Sequence, residues 1–370
     1  MNYVVIYPSI MPKDPCLILS VGSFNTKVGI ADHLEAPTTV FNTCLAKENQ
    51  TQTFIFGQDL KNIPESEKNW PINQGIVQDW DSLCEIWKHI LVHKFNVIRM
   101  RNDKPILVMI PSYWSKTDIE RLTQIMFEYL NVPGLYIAEQ PLMAVYGIGA
   151  VTGVVIDIGH ETTDITAVLD TTINYYSRQT ILIGGRHVEE YLLELLKKDE
   201  KFLKEYGKQP DINLARAIKE SSICEVFPSL EIVKSRLGQN EIRKEFEYDN
   251  IKFSVGSARY ECVEPLFDSS LIGKDYLTLA EALTMTITSY TEPEKRLSLW
   301  ESLILTGGVS QLNGLQNRIE EEVKPFIAAS ETSHETQPKE IRFQKIPEYF
   351  TVYKDIPSEV TFLGGSIVSK

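Results

Sequence analysis

Basic residues are in short supply: 37 Lys and Arg stand against 50 Asp and Glu, a net charge of −13. Phosphate contacts need clusters of Lys and Arg, so direct nucleic-acid binding over the whole surface is disfavoured. Nucleic acid would be reached only indirectly, and a basic or apolar partner helix suits this surface better. Cysteine is also sparse. Cys16, Cys44, Cys84, Cys224 and Cys262 form an odd set with no CxxC spacing, which points to a reducing compartment and no metal site of the zinc type. No run approaches the roughly 18–20 apolar residues that span a bilayer, so no direct membrane contact is expected. The opening MNYVVIYPSIMPKD lacks a basic start and a small-residue cleavage site, and reads as a strand rather than a signal peptide. Low-complexity linkers are missing too, so any lobes should be closely joined.

What is present is a globular composition. Hydrophobic residues make up 43% of 370, enough for two lobes and too long for one ordinary core. An approximate internal repeat supports duplication. LILSVGSFNTKVGIAD (17–32) and VVIDIGHETTDITAVLD (154–170) each read as an apolar strand, a turn centred on Gly22 or Gly159, and a second apolar run. That pattern is a β-hairpin used twice. It predicts two related α/β domains whose turns face each other across a cleft.

Helical stripes follow the hairpins. Residues 79–95 carry Leu83, Ile86, Trp87, Ile90 and Leu91 at helical spacing. Residues 115–130 open on Ser115 and Asp118 as a capping pair, with a stripe of Ile119, Leu122, Ile125, Met126 and Tyr129. Asn131-Val132-Pro133 stops it. LILTGGVSQLNGLQNRIEEEV predicts a strand, a Gly307-Gly308 turn and a helix striped by Leu312, Leu315, Ile319 and Val323. Residues 327–340 are polar and contain proline, and read as a surface loop.

The order of these motifs resembles actin and the actin-related proteins over nearly the whole chain. The first hairpin sits where the family has its first phosphate loop, and Asp157-Ile158-Gly159 sits at the second. GIVQDW (75–80), TQIMFEYLNVP (123–133), IAEQ (137–140) with Tyr146, GGRHVEEYL (184–192) and AIKESSIC (217–224) match family segments. GSARYECVEPLF (256–267), LTGGVSQLNG (305–314) and FLGGSI (362–367) complete the series. Within the family the chain looks most like the actin-related subunits of fungal SWI/SNF and RSC chromatin remodellers, through SYWSKTDIE (112–120), Thr163-Asp164-Ile165 and KIPEYFTVYKD (345–355). Family members continue past the point matched by Lys370.

The resemblance implies an α/β, actin-like fold: two duplicated RNase H-like lobes around a nucleotide cleft, in four subdomains. The lobes would be residues 1–147 with 360–370, and residues 148–359, each with a five-stranded mixed sheet. Small subdomains would arise from about 40–75 and about 189–273. It assigns Gly22, Ser23, Lys27 and Gly159 to phosphate, Lys219 and Glu220 to ribose and base, and Gly307 and Gly308 to adenine. Gln140 and Asp157 are what survives of the catalytic set. The departures are substantial. Ser20 and His160 replace metal-orienting aspartates, Phe24 and Glu161 replace loop glycines, and Asp164 replaces a water-activating histidine. Phosphoryl transfer depends on positioning and metal electrostatics, so no catalysis, no metal site and no required cofactor are expected, with ATP or ADP bound at most without turnover.

The polar tip KENQTQT (47–53) has little to bury in a filament neighbour. The expected role is an assembly subunit in the nucleus, paired with another actin-related protein as a heterodimer. Its partner site would be a groove of Tyr146, Ile148, Gly149, Thr171, Thr172 and Val368, taking the amphipathic helix of a remodeller ATPase subunit. A slow actin-like ATPase, a filament-forming actin and a cytoplasmic actin-related subunit are the alternatives.

Overall fold

A computed structural model describes residues 3–6, 15–31, 35–48, 53–229, 231–232, 243–328 and 341–370. The chain forms two compact units. The first comprises Met1–Val151, Val168–Ile173 and Lys345–Lys370, and the second Thr152–Ala167 and Asn174–Gln344.

The first unit is built on strands β1 (Tyr3–Ile6), β2 (Leu17–Ser20), β3 (Asn25–Ile30) and β4 (Thr39–Asn42). Short strands follow: β5 (Leu45–Lys47), β6 (Phe54–Phe56), β7 (Lys68–Asn69), β8 (Ile72–Asn73) and β9 (Ile76–Val77). Two longer ones complete it, β10 (Ile106–Ile110) and β11 (Gly134–Glu139). The main sheet has the order β1-β11-β10-β2-β3-β4, while β6-β5-β7 and β8-β9 form small separate sheets. Every side chain of β10 is buried, as befits a central strand covered on both faces. The sheet has six strands rather than five, because β1 pairs antiparallel with β11 and extends the edge.

Helix α1 (Trp80–Phe95) is capped by Asp79, which accepts from the Ser82 N–H, and ends at Asn96 in the left-handed region. Its predicted stripe is buried in full. Helix α2 (Lys116–Gln124) carries the Ser115–Asp118 capping box. Tyr129, however, is 49% exposed, contrary to the predicted stripe. The helix passes into a π-turn over Ile125–Tyr129, and the wider turn rotates this residue off the apolar face. Helix α3 (Gln140–Gly147) follows β11.

The hairpin recurs as β12 (Gly153–Ile158) and β13 (Thr163–Leu169), followed by β14 (Thr172–Ile173) and β15 (Gln179–Ile181). After helices α4 (Gly185–Lys198), α5 (Glu200–Tyr206) and α6 (Ile212–Glu220) come the hairpin β16 (Lys244–Tyr248) and β17 (Ile251–Val255), then β18 (Leu303–Thr306) and helix α7 (Leu315–Ala328). The five-stranded sheet runs β14-β13-β12-β18 with β15 on β13, and β12 pairs in parallel with β18. Leu315, Ile319 and Val323 are buried as predicted, while Leu312 lies just before α7. The loop expected at 327–340 and the tip KENQTQT fall largely outside the described residues.

Helix α8 (Val360–Val368) returns to the first unit and lies against α3. The contact is backbone on backbone. A Cβ on Gly147 would stand 2.1 Å from the Val360 carbonyl oxygen, and one on Gly364 would stand 1.7 Å from that of Met143. The unit also reaches further than the expected boundaries at 147 and 359. Residues 345–359 join it because Tyr353 Oη donates to the Glu35 carbonyl and Glu359 pairs with Lys27; residues 148–151 and 168–173 join it through the Thr171 N–H, which bonds Val151 O. Gly364→Ala should therefore cost about 3 kcal/mol or more, because a backbone oxygen cannot rotate away and the gain in helix propensity is only about 1 kcal/mol. Gly308→Ala, where the new Cβ meets nothing within 4 Å, should stay within about 0.5 kcal/mol of wild type. Denaturant midpoints of the two variants check this.

Candidate functional site

The two hairpin turns hold Gly22, Ser23 and Gly159, which the family resemblance assigns to phosphate. In the first unit β2 and β3 pair antiparallel with Ser20 opposite Lys27, which leaves Gly22 and Ser23 half-buried in the turn. Lys27 does not point free into solvent. Its Nζ lies 2.7 Å from Glu359 Oε1 and 3.1 Å from the Ser358 carbonyl, with both side chains less than a quarter exposed. Phe24 stacks on Trp70, centroids 5.1 Å apart and planes within 13°. Gln140 at the start of α3 donates from Nε2 to the Val21 carbonyl at 2.9 Å, so its amide is held by the turn backbone.

In the second unit the turn between β12 and β13 is closed by Gly159 N–H to Thr162 O at 2.8 Å. The N-terminus of α4 caps it: the Gly185 and Arg186 N–H groups donate to the carbonyls of Gly159 and His160. Those are helix-end donors that an anion would otherwise use. Glu161 is buried and pairs with Arg186 at 3.3 Å. Burial, reinforced by Lys219, Arg216, Arg186 and His187, pushes the His160 imidazole down to about 2, so it is neutral. Asp164 accepts from Thr180 Oγ1 at 2.6 Å and Thr162 Oγ1 at 3.0 Å, yet burial lifts its pKa to about 7.

Lys219, near the end of α6, repeats the fate of Lys27. Its Nζ lies 2.5 Å from Glu189 Oε1, and Arg216 holds the other carboxylate oxygen at 3.1 Å. Glu189 is 1% exposed. Glu220 is exposed at the last position of α6. Gly307 adopts φ +87°, where a Cβ would come within 2.4 Å of Asp157 Oδ1, so the turn after β18 requires glycine there. Gly308 opens the following 3-10 turn and is exposed. Among the described residues no three His, Cys, Asp or Glu side chains are grouped to hold a metal ion.

These residues do not fit a bound nucleotide well. An incoming phosphate or ribose would have to strip a cation from a carboxylate with little solvent around it. Separating either pair takes the lysine from a shielded carboxylate, which opposes binding; Glu189 would then be left to Arg216. Sequence reading missed both carboxylates. Glu359 is 332 positions from Lys27 and Glu189 is 30 positions from Lys219, so no local motif joins either pair.

The predicted groove residues fall together in the first unit. Tyr146 and Ile148 end α3, half-buried, while Gly149, Thr171 and Thr172 are exposed. Helix α3 contacts both β14, which holds Thr172, and α8, whose end presents Val368 at 36% exposure. Three apolar residues not foreseen lie in the same unit: Val151 at 53%, Tyr349 at 73% and Val352 at 50% exposure. Tyr349 Oη is the nearest atom, 4.0 Å, to where a Gly149 Cβ would stand. The aromatic pair in KIPEYFTVYKD was the available signal, since Tyr349 and Phe350 lie side by side with centroids 4.4 Å apart.

The sequence profile described as Actin matches residues 11–370. The chain belongs to the actin family. Its relatives include the SWI/SNF and RSC complexes subunit arp9 of Schizosaccharomyces pombe, 31% identical over 81% of this chain and 73% of that protein. Actin-like protein 9 of Homo sapiens is 28% identical over 86% of this chain and 76% of its own length. The mouse protein of the same name is 29% identical over 84% and 75%. Both hairpins are retained, with Lys27 of the first paired to Glu359 and Lys219 of α6 paired to Glu189.

The Asp164 environment gives a pH signature. Its folded pKa of about 7 stands above the usual 3.8, so the folded state holds this proton more tightly than the unfolded one. That contribution is full below about pH 4 and is lost as pH rises towards 7. The buried neutral His160 has the opposite sign, losing stability as pH falls below 6.5. Asp164→Asn removes the first contribution and keeps the second. Relative to this variant, the wild-type unfolding midpoint should fall between pH 4 and 7; a pH-independent gap in denaturant titrations would contradict it.

Proposed function

We propose that this chain is a non-catalytic assembly subunit of a SWI/SNF- or RSC-type chromatin-remodelling complex, acting in the nucleus. It pairs with another actin-related protein, and its groove takes the amphipathic helix preceding the remodeller ATPase domain. The complex supplies nucleic-acid contact. The observation that carries the non-catalytic reading is the pairing of Lys27 with Glu359 and of Lys219 with Glu189, beside Ser20 and His160 at positions where the family resemblance expects carboxylates. No cofactor is required, and any ATP or ADP resides without turnover. The fission-yeast relative's name as a SWI/SNF and RSC subunit supports the complex, and the net charge of −13 suits a basic helix and speeds its encounter.

The groove has the makings of a helix-binding site. Tyr146 offers an amphipathic ring of the kind enriched at hot spots, and Ile148, Val151 and Tyr349 extend the apolar surface. Tyr146→Ala with Ile148→Asp should weaken capture of the ATPase helix at least tenfold in a pull-down, as loss of a hot spot does. Unchanged capture, with the fold intact by circular dichroism, would move the partner site elsewhere. The purified subunit should also release no phosphate from ATP in a magnesium-dependent assay. Turnover at an actin-like rate would overturn the non-catalytic reading while leaving the groove untouched.

A further inference from the structure

The connection between α1 and β10 carries chemistry that the groove and the hairpins do not use. Residues 94–104 hold Lys94, Arg99, Arg101 and Lys104 against one acid, Asp103, in a chain of net charge −13. Two large apolar side chains stand out among them: Ile98 is 66% exposed and Met100 90%. Single exposed apolar residues are ordinary, but here two flank an arginine on a short 3-10 turn, Arg99–Arg101.

The turn is held rigidly enough to display them. Asn96 ends α1 in the left-handed region, and the Val97 N–H returns to Leu91 O at 3.0 Å while the Val97 side chain is buried. Arg99 donates to the Glu128 carbonyl at 2.8 Å, and Asn131 Nδ2 donates back to the Arg99 carbonyl at 2.9 Å. Asn102 Nδ2 donates to the Leu130 carbonyl at 2.9 Å and its Oδ1 accepts from the Lys104 N–H. Arg99 and Asn102 are therefore used to clamp the turn. Lys94 and Arg101 are exposed and have no ion-pair partner among the described residues. A preorganised display lowers the entropy cost of binding.

We propose that this turn is a docking surface for a short acidic segment bearing apolar side chains. Ile98 and Met100 would pack against the apolar residues of that segment, Met adapting to irregular shapes. Lys94 and Arg101 would meet its carboxylates, fixing register and speeding encounter. Charge complementarity selects this occupant: an acidic partner is repelled by most of this surface and attracted here. The surface is distinct from the groove around Tyr146 and stands whether or not that groove binds a helix.

The test pans a random twelve-residue peptide display library against the immobilised 370-residue chain, with counter-selection on the triple variant Ile98→Ser, Met100→Ser, Arg101→Ser. All three side chains are exposed, so folding should survive, and Met100→Ser alone serves as a second variant. Peptides retained by wild type should be rich in Asp, Glu, Leu and Phe. Resynthesised, they should bind at least about tenfold more weakly to the triple variant by fluorescence anisotropy. Lys- or Arg-rich winners, equal retention by the variant, or no enrichment would each overturn the proposal. So would a twenty-nucleotide single-stranded DNA whose binding is abolished by the same substitutions, since the turn would then read phosphate.

Discussion

The backbone contact between α3 and α8 sets the geometry around the first hairpin and the end of α3. Gly147 and Gly364 let carbonyl oxygens of each helix approach the other's Cα carbons, closer than any side chain would permit. That seat fixes α8 against the central strands, where Gly365 faces Met109 of β10. It also positions both ends of α8. Glu359 precedes the helix and reaches Lys27 of the first hairpin, while Val368 ends it near the groove formed by the end of α3. A single close approach thereby positions Glu359 against Lys27 and Val368 beside the end of α3.

The two units share an electrostatic solution. Each hairpin keeps its turn, and the lysine that an actin-like nucleotide site would call on is paired with a carboxylate from another element. Such pairs add little net stability, because desolvation offsets most of the attraction. Their effect is on what can bind, since a competing anion must first separate the pair. In the second unit α4 adds to this by spending its first N–H groups on the turn carbonyls.

Periodic and local features were legible in the sequence. The hairpin around Gly22, the buried stripe of α1 and the Ser115–Asp118 capping box follow from spacing alone, because their partners lie within a few residues. What was not legible depends on distance or on a change of helical pitch. Tyr129 sits on a helical stripe only if the helix stays α, and nothing in TQIMFEYL announces the π-turn. Phe24 reads as an obstruction in a phosphate loop until Trp70 is seen to stack on it. Glu359 and Tyr353 bind residues 27 and 35, so the reach of the first unit could not be drawn from composition.

The division of the first unit along the chain orders events during synthesis. Its core strands emerge from the ribosome early, but α8, which closes on α3, emerges some two hundred residues later. At about 5–20 residues per second, β10 and α3 wait about ten to forty seconds without their covering helix. The second unit, nearly continuous from Thr152 to Gln344, has all its strands first. The nascent chain thus lacks, for that interval, the helix that seats on α3 and β2, and folding fidelity depends on what shields that surface until Gly364 arrives.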